Sequence, residues 1–493
     1  MRLGAVLGVL ACAVLTACAV GPDYKTPAAD LPVSWKLEAP WRESTPQDAA
    51  DKGAWWQRFG DTRLDGLVQQ ALTNNATLAI ANARLTQARA SLAGSQSLLY
   101  PQVSVGGRAS RLDISANRPL TNYAVANQST VQSDFMLQLM ASYEIDLAGR
   151  VRRTVEGATA SAQQSAADLE NTRLLITADL ASTYFNMRAV DIELDVVSRS
   201  ITLQQRALEF VTARHDLGAV SGLDVAQQQA LLDNTLTQVD VLKKTRSQYE
   251  HAIATLIGTP APNFELAPDL KPIEPPPIPL GVPSDVLERR PDVASAERAM
   301  AAANAQIGVA KAAFYPSISL IPIVGVDSNN ISTLFDAPSL LWSLGVSATQ
   351  VLFDGGRIRA NVDFAQAGYD ATVSNYRRVV LTAMQEVQDG ITGVSSLDRA
   401  FRQSLAAVAA SRRVLDMASN RYEGGAATYL DVITAQQAVL NTERQAAQLL
   451  GQRLLISVFL VKALGGDWCG DPATDAAAKT GCPAPMSRVA ETR

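Results

Sequence analysis

Residues 213–232 read ARHDLGAVSGLDVAQQQALL, and residues 420–440 read NRYEGGAATYLDVITAQQAVL. At one constant offset Gly218 falls on Gly425, and Leu223-Asp224-Val225 falls on Leu430-Asp431-Val432. In both places a glycine break separates long Ala- and Gln-rich tracts, which have high helix propensity. Glycine ends helices, so Gly218 and Gly222 predict a hairpin tip near 216–223, and Gly424 and Gly425 a second near 423–430. A chain that makes the same break twice is built from two copies of one unit.

The duplication extends outward from the tips. ARLTQARASLAGSQSLLYPQVSV at 83–105 parallels RAMAAANAQIGVAKAAFYPSISL at 298–320, and LAGRVR at 147–152 parallels DGGRIR at 354–359. Each copy reads as helix, two strands, long helix, glycine break, long helix. No proline occurs from Leu120 to Thr259 or from Ser339 to Asp471, as very long helices require. Val151–His215 alone predicts a helix of about 95 Å at 1.5 Å per residue, which needs coiled-coil-like partners. The segments are then 63–259 for the first copy and 291–466 for the second. Segment 260–290 is a proline-rich connector that favours extended structure, and 467–493 is a C-terminal tail.

The strands carry the sharper signal. Phe135, Leu137, Leu139, Ala141, Tyr143 and Ile145 alternate with Asp134, Gln138, Ser142 and Glu144, interrupted only by Met136 and Met140. Trp342, Leu344, Val346 and Ala348 alternate with Ser343, Gly345, Ser347 and Thr349. Period two with one apolar face predicts a sheet wetted on one side. A soluble sheet shows the same pattern, but tilted strands of about nine to eleven residues also span a bilayer. The expected pairs are 101–109 with 131–146, and 316–326 with 340–353. Four strands cannot close, and an open edge in lipid leaves N–H and C=O groups unpaired. Single-chain barrels begin at about eight strands. Strands of this kind in a membrane therefore require several chains.

The N-terminus supports export. MRLGAVLGVLACAVLTACAVGPDY has one positive charge and an apolar run too short for a transmembrane helix. Residues 1–17 read as a signal peptide. Leu15-Thr16-Ala17-Cys18 resembles the bacterial lipobox, which makes Cys18 the expected lipidation site and 18–62 a lipid-anchored segment. An ordinary signal peptide containing a cysteine would look alike. In an oxidising compartment Cys469 and Cys482 are expected to pair as a disulfide, with two free thiols in a loose tail as the alternative.

Composition excludes other classes. The net charge is −5 with no long basic run, which gives nucleic-acid binding no electrostatic support. Only His215 and His251 are histidines, and neither has a second ligand at metal-binding spacing. The absence of histidine-centred, P-loop and thiol motifs argues against an enzyme.

CAVGPDYKTP, WWQRFGDTRLDGLVQQAL, YEIDLAGRVRR, ERRPDVASAERAMAAANAQIGVAKAAFYPSISL, QVLFDGGRIRA, RYEGGAATYLDVITAQQAVL and KALGGDW together resemble the TolC/OprM-type outer-membrane efflux channels, in their NodT-type lipoprotein branch. The resemblance implies an α+β membrane protein. Three protomers, each giving four strands, would form one twelve-stranded transmembrane β-barrel continued by a periplasmic α-helical barrel with a mixed equatorial domain. It implies a passive homotrimeric exit duct without cofactor. The duct would sit in outer-membrane lipid and reach an inner-membrane RND-type transporter through a periplasmic membrane-fusion adaptor. A protein-secretion duct of the same fold and a structural coiled-coil envelope lipoprotein are the alternatives. By the same resemblance Leu430 and Asp431 fall where the family narrows its pore, and Tyr422 and Asp224 form a closed-state latch between the hairpins. The alternative for Asp224 and Asp431 is a helix cap after each turn. Ala427 stands where relatives carry a latch arginine, and Thr434 where they carry a second acid.

Overall fold

The computed structural model describes residues 20–25, 53–117, 130–271, 273–278 and 289–466. Cys18, Cys469 and Cys482 lie outside the described residues, as do the signal peptide and the tail 467–493. The helices and strands follow in two matching series. The first is α1 (Thr62–Asn74), α2 (Ala76–Ser97), β1 (Gln102–Ile114), β2 (Thr130–Ile145), α3 (Arg150–Asp216) and α4 (Gly222–Leu256). The second is α5 (Pro291–Ala312), β3 (Ser317–Ser328), β4 (Leu340–Thr349), α6 (Arg357–Glu423) and α7 (Tyr429–Ala463). The long helices α3 and α6 have 67 residues each, and α4 and α7 have 35 each. Two compact units cut across this order. One takes residues 1–28, 84–166 and 295–376, the other residues 29–83, 167–294 and 377–493.

The first unit holds a four-stranded antiparallel sheet in the order β1-β2-β3-β4. Register sorts its side chains by chemistry, because residues opposite one another share a face. One row reads Val105, Leu139, Val324, Trp342, and the next row, on the other face, reads Gly106, Gln138, Gly325, Leu341. The first face also carries Val103, Leu137, Tyr143, Leu320, Leu344 and Val346; the second mixes Ser104, Ser142, Ser319, Ser343 and Ser347 with the apolar Met136, Met140, Ile321, Ile323 and Leu341. Apolar side chains on the first face are bare: Val105 is 71% exposed and Trp342 76%. A continuous apolar surface of that kind requires a non-aqueous neighbour. The second face carries an Arg108–Asp134 ion pair. Strand β1 runs to Ile114, beyond the expected end at 109. Its added outward positions are Arg111 and Asp113, so ladder pairing continues after the apolar band has ended.

A short N-terminal segment is clasped in the same unit. The Val20 N–H donates to the Ala148 carbonyl (3.1 Å), the Asn304 amide to the Pro22 carbonyl (2.9 Å), and Arg153 pairs with Asp23 (2.8 Å). Cys18 is two residues upstream of Val20.

The second unit contains the main core. Trp55, Trp56 and Phe59, from a 3₁₀ turn, pack with Leu64 and Val68 of α1, Tyr184 and Phe185 of α3, and Leu460 of α7. Asp61 caps α1, its Oδ1 accepting from the Arg63 N–H (2.9 Å). Its Oδ2 accepts from the Tyr184 hydroxyl (2.7 Å) and from Arg188 (2.9 Å). Arg188 also donates to the Lys271 carbonyl (2.7 Å), which ties the connector to α3. Elsewhere small residues let backbones approach: a Cβ on Gly451 would lie 2.6 Å from the Ala189 Cβ, and one on Gly393 2.6 Å from Ile456. Helix α7 is the one helix among the described residues long and apolar enough to cross a membrane, but half of that apolar window is buried in this packing.

Candidate functional site at the hairpin tips

Both tips are built alike. Gly218 donates to the His215 carbonyl (2.8 Å) and Ala219 to the Arg214 carbonyl (2.9 Å). Gly425 donates to the Tyr422 carbonyl (3.0 Å) and Ala426 to the Arg421 carbonyl (2.8 Å). This is the Schellman closure, which needs a left-handed residue. Gly218 and Gly425 supply it at φ +73° and +74°. Gly222 and Gly424 flank the turns at ordinary φ and carry no such demand. The helices resume on Ser221, whose hydroxyl accepts from the Leu223 N–H (3.1 Å), and on Thr428.

The expected pore pair faces outward. Leu430 is 55% exposed and Asp431 is exposed. Asp431 Oδ2 accepts from the Thr428 N–H (3.0 Å) and hydroxyl (2.9 Å), so it closes the first turn of α7 as the third residue of a capping box rather than as the cap itself. These two donors hold its carboxyl below the usual carboxylate range. Asp224 lies in the first turn of α4.

The tip has its own small core, in which Val211, Leu231, Tyr422, Tyr429, Val432 and Ile433 are buried together. The latch expected between Tyr422 and Asp224 is not a hydrogen bond here: the buried Tyr422 hydroxyl meets no partner among the described residues. Tyr422 instead packs on Tyr429 at 5.0 Å between ring centroids and lies under the Arg214 guanidinium at 5.2 Å. The polar contact that does join the hairpins comes from Tyr429, whose hydroxyl donates to Gln228 Oε1 (2.9 Å). The Gln228 amide in turn donates to the Gln204 carbonyl (3.0 Å). Higher up, Arg444 of α7 reaches Glu193 of α3 (2.8 Å) and Gln238 of α4 (3.0 Å). Sequence reasoning missed Tyr429, Gln228, Arg214 and Arg444. The only signal was Tyr429 beside Leu430, which puts the two on different sides of a helix start.

The described residues contain no cluster of acidic, histidine or cysteine side chains able to hold a metal. The profile of the family described as "Outer membrane efflux protein" matches residues 67–259 and 282–466. The chain belongs to this outer membrane efflux protein family. The family match falls on two segments, one for each series of elements.

Relatives agree over nearly the full length. The pyoverdine export outer membrane protein OpmQ of Pseudomonas aeruginosa is 30% identical over 94% of this chain and 96% of its own. The toluene efflux pump outer membrane protein TtgC of Pseudomonas putida is 30% identical over 92% and 94%. Among solved structures, the outer-membrane channel OprN superposes with a TM-score of 0.84 at 29% identity, covering 92% of this chain and all of that one. The open state of the Neisseria gonorrhoeae MtrE outer membrane channel gives 0.80 at 28%, covering 91% and 98%. This efflux protein therefore has the fold of the TolC-like outer-membrane channels, and it is an outer-membrane protein that extends into the periplasm.

Proposed function

We propose that three copies of this chain close one twelve-stranded barrel and act as the passive exit duct of a tripartite pump, gated at the periplasmic hairpin tips. The observation that carries this reading is the sheet. It has one exposed apolar face, an opposite face on which serines, Gln138 and the Arg108–Asp134 pair are mixed with apolar residues, and outer edges on β1 and β4 that pair with no strand among the described residues. In lipid those edges must be closed by other strands, and identical neighbours supply them. Residues 18–62, the connector 260–290 and the end of the second copy would gird the two helical hairpins. Val20–Asp23 is clasped beside Ala148, just after the end of β2, and lipidation of Cys18, two residues upstream in the sequence, would anchor the chain there. Cys469 and Cys482 would close a short disulfide loop. The duct would meet a periplasmic adaptor and an inner-membrane RND-type transporter, and would export small toxic compounds, the class to which toluene belongs in the relative's name. A membrane-extracted protein that runs on a gel as a heat-sensitive trimer, together with sensitisation to dyes, detergents or antibiotics on deletion, is the expected result. A monomer that stays soluble without detergent would overturn the reading.

Three copies of Leu430 and Asp431 would make an apolar ring beside an acidic one, favouring cations over anions at the narrow point. Asp431→Asn should abolish that preference in a reversal-potential measurement. Convergence of like charges raises the carboxyl pKa, whereas the Thr428 donors lower it. Thr428→Val therefore makes the preference fade at a higher pH than in the parent protein. The stability linkage has the same sign. With the folded value lowered, the capping contribution is present above the ordinary aspartate pKa and is lost as pH falls through the folded one. An unchanged pH midpoint in Thr428→Val would show that the capping box does not tune the ring.

A further inference from the structure

Tyr429 is the first residue of α7, directly before the outward-facing Leu430 and Asp431. The capping box between Thr428 and Asp431 sets the direction of that first turn, so Tyr429 points inward as Leu430 points out. Its hydroxyl lands on Gln228, one turn beyond Asp224 on α4. Gln228 is fully buried and Tyr429 is 4% exposed. The amide of Gln228 is satisfied on both sides, accepting from Tyr429 and donating to the Gln204 carbonyl of α3. Three helices from both hairpins are thus joined through one side-chain amide. Burial, with Tyr422 and Asp224 adding to it, pushes the Tyr429 phenol up, so it remains a protonated donor at physiological pH. Tyr422 sits in the same core with the opposite character. It contributes its ring to Tyr429 and Arg214, but its hydroxyl is buried without a partner among the described residues. A buried hydroxyl left unmatched favours any rearrangement that exposes or pairs it.

We propose that the Tyr429–Gln228–Gln204 chain is the fastening that holds the second hairpin, and with it Leu430 and Asp431, against the first, and that Tyr422 biases the same tip toward release. This rests on the reading of the tips as the gate. Moving α7 away from α4 strands the Gln228 oxygen unless water replaces the phenol, so the fastened arrangement is favoured while the core is dry. Arg444, fifteen residues further along α7, keeps its ties to Glu193 and Gln238 when the tip parts and so serves as the fixed end.

The test is single-channel recording of the reconstituted full-length protein, with entry of a large antibiotic into cells as a second readout. Tyr429→Phe keeps the ring and removes the donor. It should raise open probability on the order of tenfold, the size expected when one buried acceptor loses its partner. Gln228→Met should do the same, and the double variant should exceed neither single by much, because both act through one bond. The heat-dissociation temperature of the oligomer should stay as in the parent, which a merely structural defect would not allow. Where Gln228→Met fails to assemble, Tyr429→Phe carries the test, being nearly isosteric. Tyr422→Phe, read in a partly open Leu430→Ala background, should lower open probability. If Tyr422→Phe opens the channel as Tyr429→Phe does, the role given to Tyr422 is overturned. If Leu430→Ala raises conductance while Tyr429→Phe and Gln228→Met leave it unchanged, the fastening is overturned and the gate stands. If none of the three changes conduction, the tips are not the gate.

Discussion

Replacing Arg188 with alanine should destabilise the second unit by about 3–5 kcal/mol, the range for breaking a buried ion pair by removing one partner. The Arg188 side chain is 4% exposed and lies 2.9 Å from Asp61 and 3.6 Å from Asp269. Asp61 loses its only cationic partner among the described residues, Asp269 loses one of its two arginines, and the Lys271 carbonyl loses its donor. Asp61 has a second task, since its other oxygen caps α1, so the defect spreads to the first helix of the core and to the 3₁₀ turn packed on it. Arg188→Met separates charge from packing. It restores most of the volume but leaves Asp61 with only neutral donors and Asp269 with the more distant Arg63, and it should cost nearly as much as alanine. The check is the denaturant midpoint of the detergent-solubilised protein, with protease sensitivity of the connector near Lys271 as the local readout. A methionine variant as stable as the parent would mean that Arg188 contributes packing rather than charge.

That network also marks where sequence reading stops. The four strands, the long helices and the glycine breaks between them were legible, because each is written in local periodicity or in a residue with a special φ requirement. Four glycines were read alike as the tips, and of these Gly218 and Gly425 are the two whose closure uses a left-handed backbone. The contacts across the tip were not legible. AQQQALL offers three consecutive glutamines, and which of them faces inward depends on the rotation of α4 about its own axis. That rotation is set by packing between segments some two hundred residues apart. The Tyr422–Asp224 pair was carried over on residue type alone. Here Tyr429 hydrogen-bonds a different residue, Gln228, while Tyr422 meets Asp224 only electrostatically. Asp431 was read both as a ring and as a cap; its carboxylate serves the first turn of α7 and still faces solvent, and the choice of residue type alone could not separate those roles. The end of β1 was missed for a different reason: once the apolar alternation stops at Ala109, ladder hydrogen bonds continue with no side-chain signature.

The strand register makes the membrane reading testable by a pair of neighbouring substitutions. Leu139 and Gln138 are adjacent in β2, equally central in the ladder, and point to opposite faces. Leu139 is flanked by Val105 and Val324 on the apolar face, and Gln138 by Gly106 and Gly325 on the opposite one. An arginine facing lipid near the bilayer midplane costs about 2–4 kcal/mol, and a trimer would incur that cost three times. Leu139→Arg should therefore abolish outer-membrane insertion, leaving protein that is degraded or does not form the heat-sensitive oligomer. Gln138→Arg places the same charge one residue away, on the face that a shared barrel would turn to its lumen, and should assemble normally, changing only ion selectivity. Intrinsic strand propensity cannot explain such a difference, because the two positions share backbone pairing and differ only in the medium that each side chain meets. Fractionation of the two variants, followed by unheated gel electrophoresis, decides the matter. Equal assembly of both would mean that the apolar face does not meet lipid, and the shared barrel would have to be abandoned.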